Sequence, residues 1–195
     1  MASVFLNKLW PGLLVWIALY VSDYILTITC ARLYQAGVKN TIVFEGSYEI
    51  TPYFQRDVNM LRRVSPRFLA ALVLIGAVLS SLWWLTRQVA LPEAYDFALG
   101  VFISLQLAIH TRHLRNLFLF RAILRGDGIR GRVEYSRPQM LRLSALELIA
   151  LAGVFAVLFL FTENWFLLGG TIGCLGVAGK HWRLAREHVP KPTAT

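Results

Sequence analysis

The sequence predicts an all-α integral membrane protein: a single domain over 1–195 with five transmembrane helices, its N-terminus outside and its C-terminus in the cytoplasm. Three observations carry this expectation. Hydrophobic residues make up 56% of the chain and aromatics 13%, more than one soluble core of 195 residues needs. Five segments approach the ~20 apolar residues that cross a hydrocarbon layer ~30 Å thick, where the chain itself must satisfy every backbone polar group. The cationic side chains, finally, gather on one side of a five-span arrangement.

The first span runs from about Leu13 to Leu33. It exceeds the ~7–15 apolar residues of a signal-peptide core, contains Asp23 and lacks a small-x-small cleavage pattern, so it reads as a retained helix. The second, 68–85, follows Ser65-Pro66, a cap and a first helical residue. The third, 95–117, continues as "RHLRNLFLFRAILR" to Gly126, a C-cap before an Asp-Gly turn. The fourth, 143–161, and the fifth, 165–182, are joined by "TEN" into an antiparallel hairpin. Gly169, Gly173 and Gly176 give the short fifth span a small-residue face, which implies close helix contact within the chain or in a homo- or hetero-oligomer. Cys30 and Cys174 lie in separate spans without metal-type spacing, so both read as packing residues and no metal site is expected.

Of the 20 lysines and arginines, all but Lys8 and Arg87 fall in the 34–67 loop, the 118–142 loop, the C-terminal tail or the adjoining span ends. The positive-inside rule puts that side in the cytoplasm, against anionic lipid headgroups, in a plasma or inner membrane if the source is bacterial. The net charge of +9 is thereby a topology signal, and no helix-turn-helix, RRM or zinc pattern accompanies it to suggest nucleic acid. Within the first loop, Thr51-Pro52 opens a helix whose Phe54, Val58 and Leu61 share one face, as a short interfacial helix requires. "IRGRVEY" alternates with period two and "TIVFEGSYEI" is the other β-leaning stretch on that side. Together they suggest a small cytoplasmic β-hairpin, which would bring Glu45 or Glu49 near Arg130 or Arg132.

Asp23 is the most informative residue. A carboxylate near the bilayer centre costs about 2.5–3.5 kcal/mol on insertion scales, so it belongs in the bundle interior among donors. It shares a helix face with Trp16, Tyr20, Thr27, Cys30 and Tyr34. Gln106, His110 and His113 form a stripe on the third span, and Glu147 with Ser144 sits one turn inside the fourth. These spacings predict a cavity open to the cytoplasm, with Asp23 as central acceptor and Thr27, Gln106, His110 and Glu147 as companions. The alternative role for Asp23 is an anchor between helices. His113, His181 and His188, near the interface among arginines, read as structural or solvated, and Glu45 and Glu49 as loop ion-pair partners.

The leading functional expectation is a non-enzymatic transport or assembly component whose polar interior binds a proton, a cation or a small amphiphile. A second is a membrane-embedded enzyme acting on a lipid-linked substrate at the cytoplasmic face through Glu45 or Glu49 with His113. A third is a structural subunit of a larger complex. No cofactor is predicted, although His110 and His181, at comparable depth on different spans, leave a b-type haem as an alternative. Several chemistries lack their residues. "SDYILTITCAR" has too few aspartates for an alcohol phosphotransferase, "RVEYSRP" lacks the Ser-Gly-His of a lipid phosphatase, and neither H-E-x-x-H nor a phosphate-cradling glycine loop occurs.

Overall fold

The computed structural model describes residues 8–46, 48–49, 51–127 and 131–187. Six α-helices occur among them: α1 (Leu9–Ala36), α2 (Pro52–Asn59), α3 (Pro66–Gln88), α4 (Pro92–Arg125), α5 (Arg137–Thr162) and α6 (Trp165–Glu187). A 3-10 turn (Val38–Asn40) and two strands, β1 (Ile42–Phe44) and β2 (Val133–Tyr135), complete the elements. Four helices, α1, α3, α4 and α5, are long and apolar enough to cross a membrane. The fifth expected span, α6, falls outside that group because glycines dilute its apolar content and Lys180, His181, Arg183 and Arg186 occupy its last turns.

Helix boundaries follow local chemistry. Ser65 caps α3 by accepting from the Phe68 N–H, and Pro66 occupies the first turn, where a missing N–H costs nothing. Ser136 and Pro138 repeat the device at α5, with Ser136 accepting from Gln139 N–H. Gly126 ends α4 in the left-handed region (φ 79°), as the sequence indicates. At the "TEN" turn Glu163 takes φ 49°, and the Asn164 carboxamide oxygen accepts from Phe166 N–H, so α5 and α6 fold back on each other. Thr51 precedes Pro52 as expected but makes no side-chain cap; its own N–H donates to Glu49 Oε1 at 2.7 Å.

In the bundle α6 lies between α4 and α5, α4 lies between α6 and α1, and α3 flanks α1 and α4. An aromatic core joins α1, α3 and α4, where Tyr20 and Tyr24 both stack on Phe68 at 5.0 and 4.4 Å and Trp16 is fully buried. A second core of small residues, including Ala108, Ala145, Cys174 and Ala178, joins α4, α5 and α6. Cys30 and Cys174 are both buried and unbridged.

The β element corrects the sequence expectation. The strands pair in parallel, Ile42 with Val133 and Phe44 with Tyr135, so they form no hairpin. The nearby basic groups are also different. Arg132 pairs with Glu134 on its own strand, while the Glu45 carboxylate accepts from Arg137 N–H at 2.8 Å. Arg130 and His188 lie outside the described residues. The expected short helix is present as α2, with its own Val58 buried, and a polar clasp also fastens it. Asp57, 2% exposed, accepts from the Ser65 hydroxyl at 2.5 Å and pairs with Arg62 at 3.2 Å, while the Tyr24 hydroxyl donates to the Arg62 carbonyl at 2.7 Å.

Candidate functional site

At the arginine-rich end of the bundle, α1, α4, α5 and α6 stand apart around a cavity of about 440 Å³, roofed by β1, α2 and the chain between them. Asp23 and Thr27 reach it from α1, Gln106, Arg112, His113 and Arg115 from α4, Ser144 and Glu147 from α5, and His181 from α6. Tyr48 and Glu49 line it from the roof. The intramembrane group and the loop group read separately from the sequence therefore largely share one space. Two residues do not line it: Glu45 is held at Arg137, and His110 is turned toward Ser22.

The partner of Asp23 is His113, not Gln106 or His110. Asp23 Oδ1 lies 3.3 Å from His113 Nε2, with Thr27 Oγ1 at 3.1 Å from the same nitrogen. On the other side of the ring, Tyr48 Oη lies 3.3 Å from Nδ1. The partners define a coherent protonation pattern. Nε2–H faces the carboxylate and the Thr27 oxygen, and Nδ1 accepts from the Tyr48 hydroxyl. The result is a cluster in which the imidazole bonds Thr27 and Tyr48 and approaches the Asp23 carboxylate without an aligned hydrogen bond, between the middle of α1 and the roof. Asn116 Nδ2 donates to Tyr48 Oη at 3.5 Å, and burial pushes the Tyr48 phenol well above its ordinary range, so it stays protonated.

Glu147 lines the cavity and is ion-paired. It accepts from Arg112 Nε at 2.7 Å and pairs with Arg115, a bridge from α5 to two arginines of α4 that offsets part of the basic wall. Glu49 is partly buried; burial raises its carboxyl, opposed by the bond from Thr51 N–H. His181 Nδ1 bonds the Ser144 hydroxyl at 2.8 Å.

Two acceptors in the cavity are left open. Gln106 Oε1 is buried with no hydrogen-bond partner among the described residues, and Asp23 Oδ1 lacks an aligned donor despite its 3.3 Å approach to His113. Buried acceptors of this kind cost about 1–3 kcal/mol unless water or a ligand satisfies them. The cavity thus holds two acceptors that its own donors do not reach, and its walls are aromatic where Tyr20, Tyr24 and Phe68 stack.

His110 spends both ring nitrogens locally, Nδ1–H on the Gln106 carbonyl at 2.7 Å and Nε2 on Ser22 at 2.6 Å. In this arrangement its Nε2 faces α1 and not His181, which bonds Ser144. Among the described residues no group of three or more His, Cys, Asp or Glu is placed to hold a metal ion.

Compared with known protein families, characterised proteins and solved structures, the chain matches none.

Proposed function

We propose that this is a five-span membrane protein, C-terminus in the cytoplasm, that acts as a non-enzymatic transport or assembly component. Its cavity takes in the polar end of a small amphiphile, and the Tyr48–His113–Asp23 chain carries a proton between the roof and the bundle interior. The observation supporting this reading most directly is the close approach of Tyr48, His113 and Asp23, together with the unmet acceptors Asp23 Oδ1 and Gln106 Oε1. A ligand fitting the site has a hydrogen-bond-donating head, such as a hydroxyl or an ammonium, for the acceptors and an apolar tail for the aromatic wall. The basic span ends support the orientation.

A second reading is favoured by the presence of Tyr48, Glu49 and His113 in the same space: acid–base catalysis on a lipid-linked substrate at the cytoplasmic face. Extraction in mild detergent, followed by mass spectrometry of what remains bound, separates the two readings when paired with proton flux into proteoliposomes. Retention of an intact hydroxyl- or amine-headed amphiphile, with proton flux lost in His113→Gln, supports transport. Conversion of that amphiphile by the wild type alone supports the enzyme. A cavity that retains nothing and moves no proton overturns both. Reporters after Arg125 and at the C-terminus should read cytoplasmic, and one within 86–94 external; a cytoplasmic 86–94 loop defeats the five-span orientation.

A further inference from the structure

A second concavity lies on the outer flank of the α5–α6 hairpin, away from the cavity described above. It is a groove of about 390 Å³ with Ile149 and Leu175 at one end, Gly179 on its floor, and Trp182, Arg183 and Arg186 at the other. We infer that this groove is a binding site for one anionic phospholipid, its acyl chain lying along Ile149 and Leu175 and its phosphate between the two guanidiniums.

The order of chemistry along the groove supports this occupant. Leu175 and Arg186 are 11 residues apart on one helix, about 16 Å, and between them the lining changes from aliphatic to indole to guanidinium. That is the sequence of environments a phospholipid presents from acyl chain through interface to headgroup, with tryptophan at the interfacial level it favours. Charge complements a phosphodiester. Arg183 is tied only loosely to Glu187, at 3.7 Å with both side chains exposed, and Arg186 has no ion pair among the described residues. Arg142, on the face of α5 that carries Ile149 two turns deeper, adds a third cation nearby.

Glycine separates this groove from the internal seam of the same helix. A Cβ on Gly169 or Gly170 would collide with α4, whereas one on Gly179 meets nothing within 4 Å. The absence of a side chain at Gly179 therefore serves no helix contact within the chain; it keeps the groove floor low enough for an acyl chain. The apolar lining is already exposed, Ile149 by 44% and Leu175 by 45%, as suits a surface that lipid covers.

The test uses the full chain in nanodiscs of phosphatidylcholine doped with phosphatidylglycerol, followed by native mass spectrometry of retained lipid. The expected result is one phosphatidylglycerol held per chain in preference to phosphatidylcholine. Arg183→Ala with Arg186→Ala should weaken its retention about thirty-fold, as two cationic side chains at an anionic headgroup supply. Gly179→Leu should also displace it without changing charge, while Arg121→Ala with Arg125→Ala, equal in charge loss, should leave it in place. Unfolding temperature checks that each variant is folded. Equal retention of both lipids, equal loss in the control pair, or retention undiminished in Gly179→Leu would overturn the site. So would a dimer that Gly179→Leu dissociates, which would assign the groove to a second copy of the chain.

Discussion

The two halves of α4 meet α6 in opposite ways. From Phe97 to Ser104 the helices touch backbone to backbone: a Cβ on Gly100 would run into the Phe166 carbonyl, one on Gly169 into that of Phe97, and Gly173 lies against Val101. Beyond Ala108, which still packs with Ala145 and Ala178, the same helix presents Arg112, His113 and Arg115 to a cavity of about 440 Å³. A seam of small residues at one end and long polar ones at the other makes a wedge. The cavity is thus a consequence of side-chain size along one helix pair, with the roof added over its wide end.

The most damaging way to break that contrast is to thicken the narrow end. Gly100→Val and Gly169→Val should each cost about 3 kcal/mol or more, because backbones on both sides must move, and thermal unfolding in detergent should show it. Gly176→Val, in the same helix but with nothing within 4 Å of the added Cβ, should be close to neutral. Equal effects would mean that the glycine seam does not hold the narrow end.

Next in size is the clasp under the roof. Asp57→Ala strips the buried Ser65 hydroxyl of its acceptor and Arg62 of its partner, and should cost about 2 kcal/mol. Limited proteolysis between Tyr48 and Arg63 should accelerate accordingly; an unchanged cleavage rate would show that α2 is held by its apolar face alone.

At the wide end, Asp23→Leu removes the carboxylate that His113 Nε2 approaches at 3.3 Å and should destabilise by about 1–2 kcal/mol. Asp23→Asn keeps a hydrogen-bonding group, so its cost should be near the ~0.6 kcal/mol average of interhelical membrane hydrogen bonds, while proton flux disappears. If Asp23→Asn retains full flux, Asp23 is an anchor and the wide end does no proton chemistry.

The smallest effect concerns the roof itself. Burial raises the Glu49 carboxyl above its ordinary value of 4.5. The folded state therefore favours the protonated form, whose contribution is complete below 4.5 and is lost as pH climbs through the raised value. Hydrogen exchange around Tyr48 and Glu49 should quicken across that window, and Glu49→Gln should flatten the dependence.

Much of this was legible in sequence at the level of elements. Asp23 stood out because a carboxylate in an apolar helix has few places to go, and Ser65, Gly126 and the "TEN" turn announced their helix ends through cap chemistry. The partner of Asp23 was misread. His113 lies seven residues beyond Gln106 on one face, yet its arginine neighbours suggested solvent; a rotation of the stripe toward α1 decides the matter, and spacing alone does not give rotation. Asp57 was hidden for a similar reason, since a charge on a short amphipathic helix ordinarily faces water and only the fold brings Ser65 and Arg62 to it. The strands were found by their period, but period carries no direction, so parallel pairing could not be distinguished from a hairpin.

That parallel pairing has a consequence for biogenesis. Ile42 and Val133 are 91 residues apart, with α2, α3 and α4 made between them, so the strands cannot join until most of the chain has left the ribosome. His113 must also be synthesised before Asp23 meets its partner. Through that interval the Asp23 carboxylate on α1 is without the imidazole it approaches in the finished fold. The half-made bundle, with that carboxylate and the β1 edge both unpartnered, is the stage most open to misfolding.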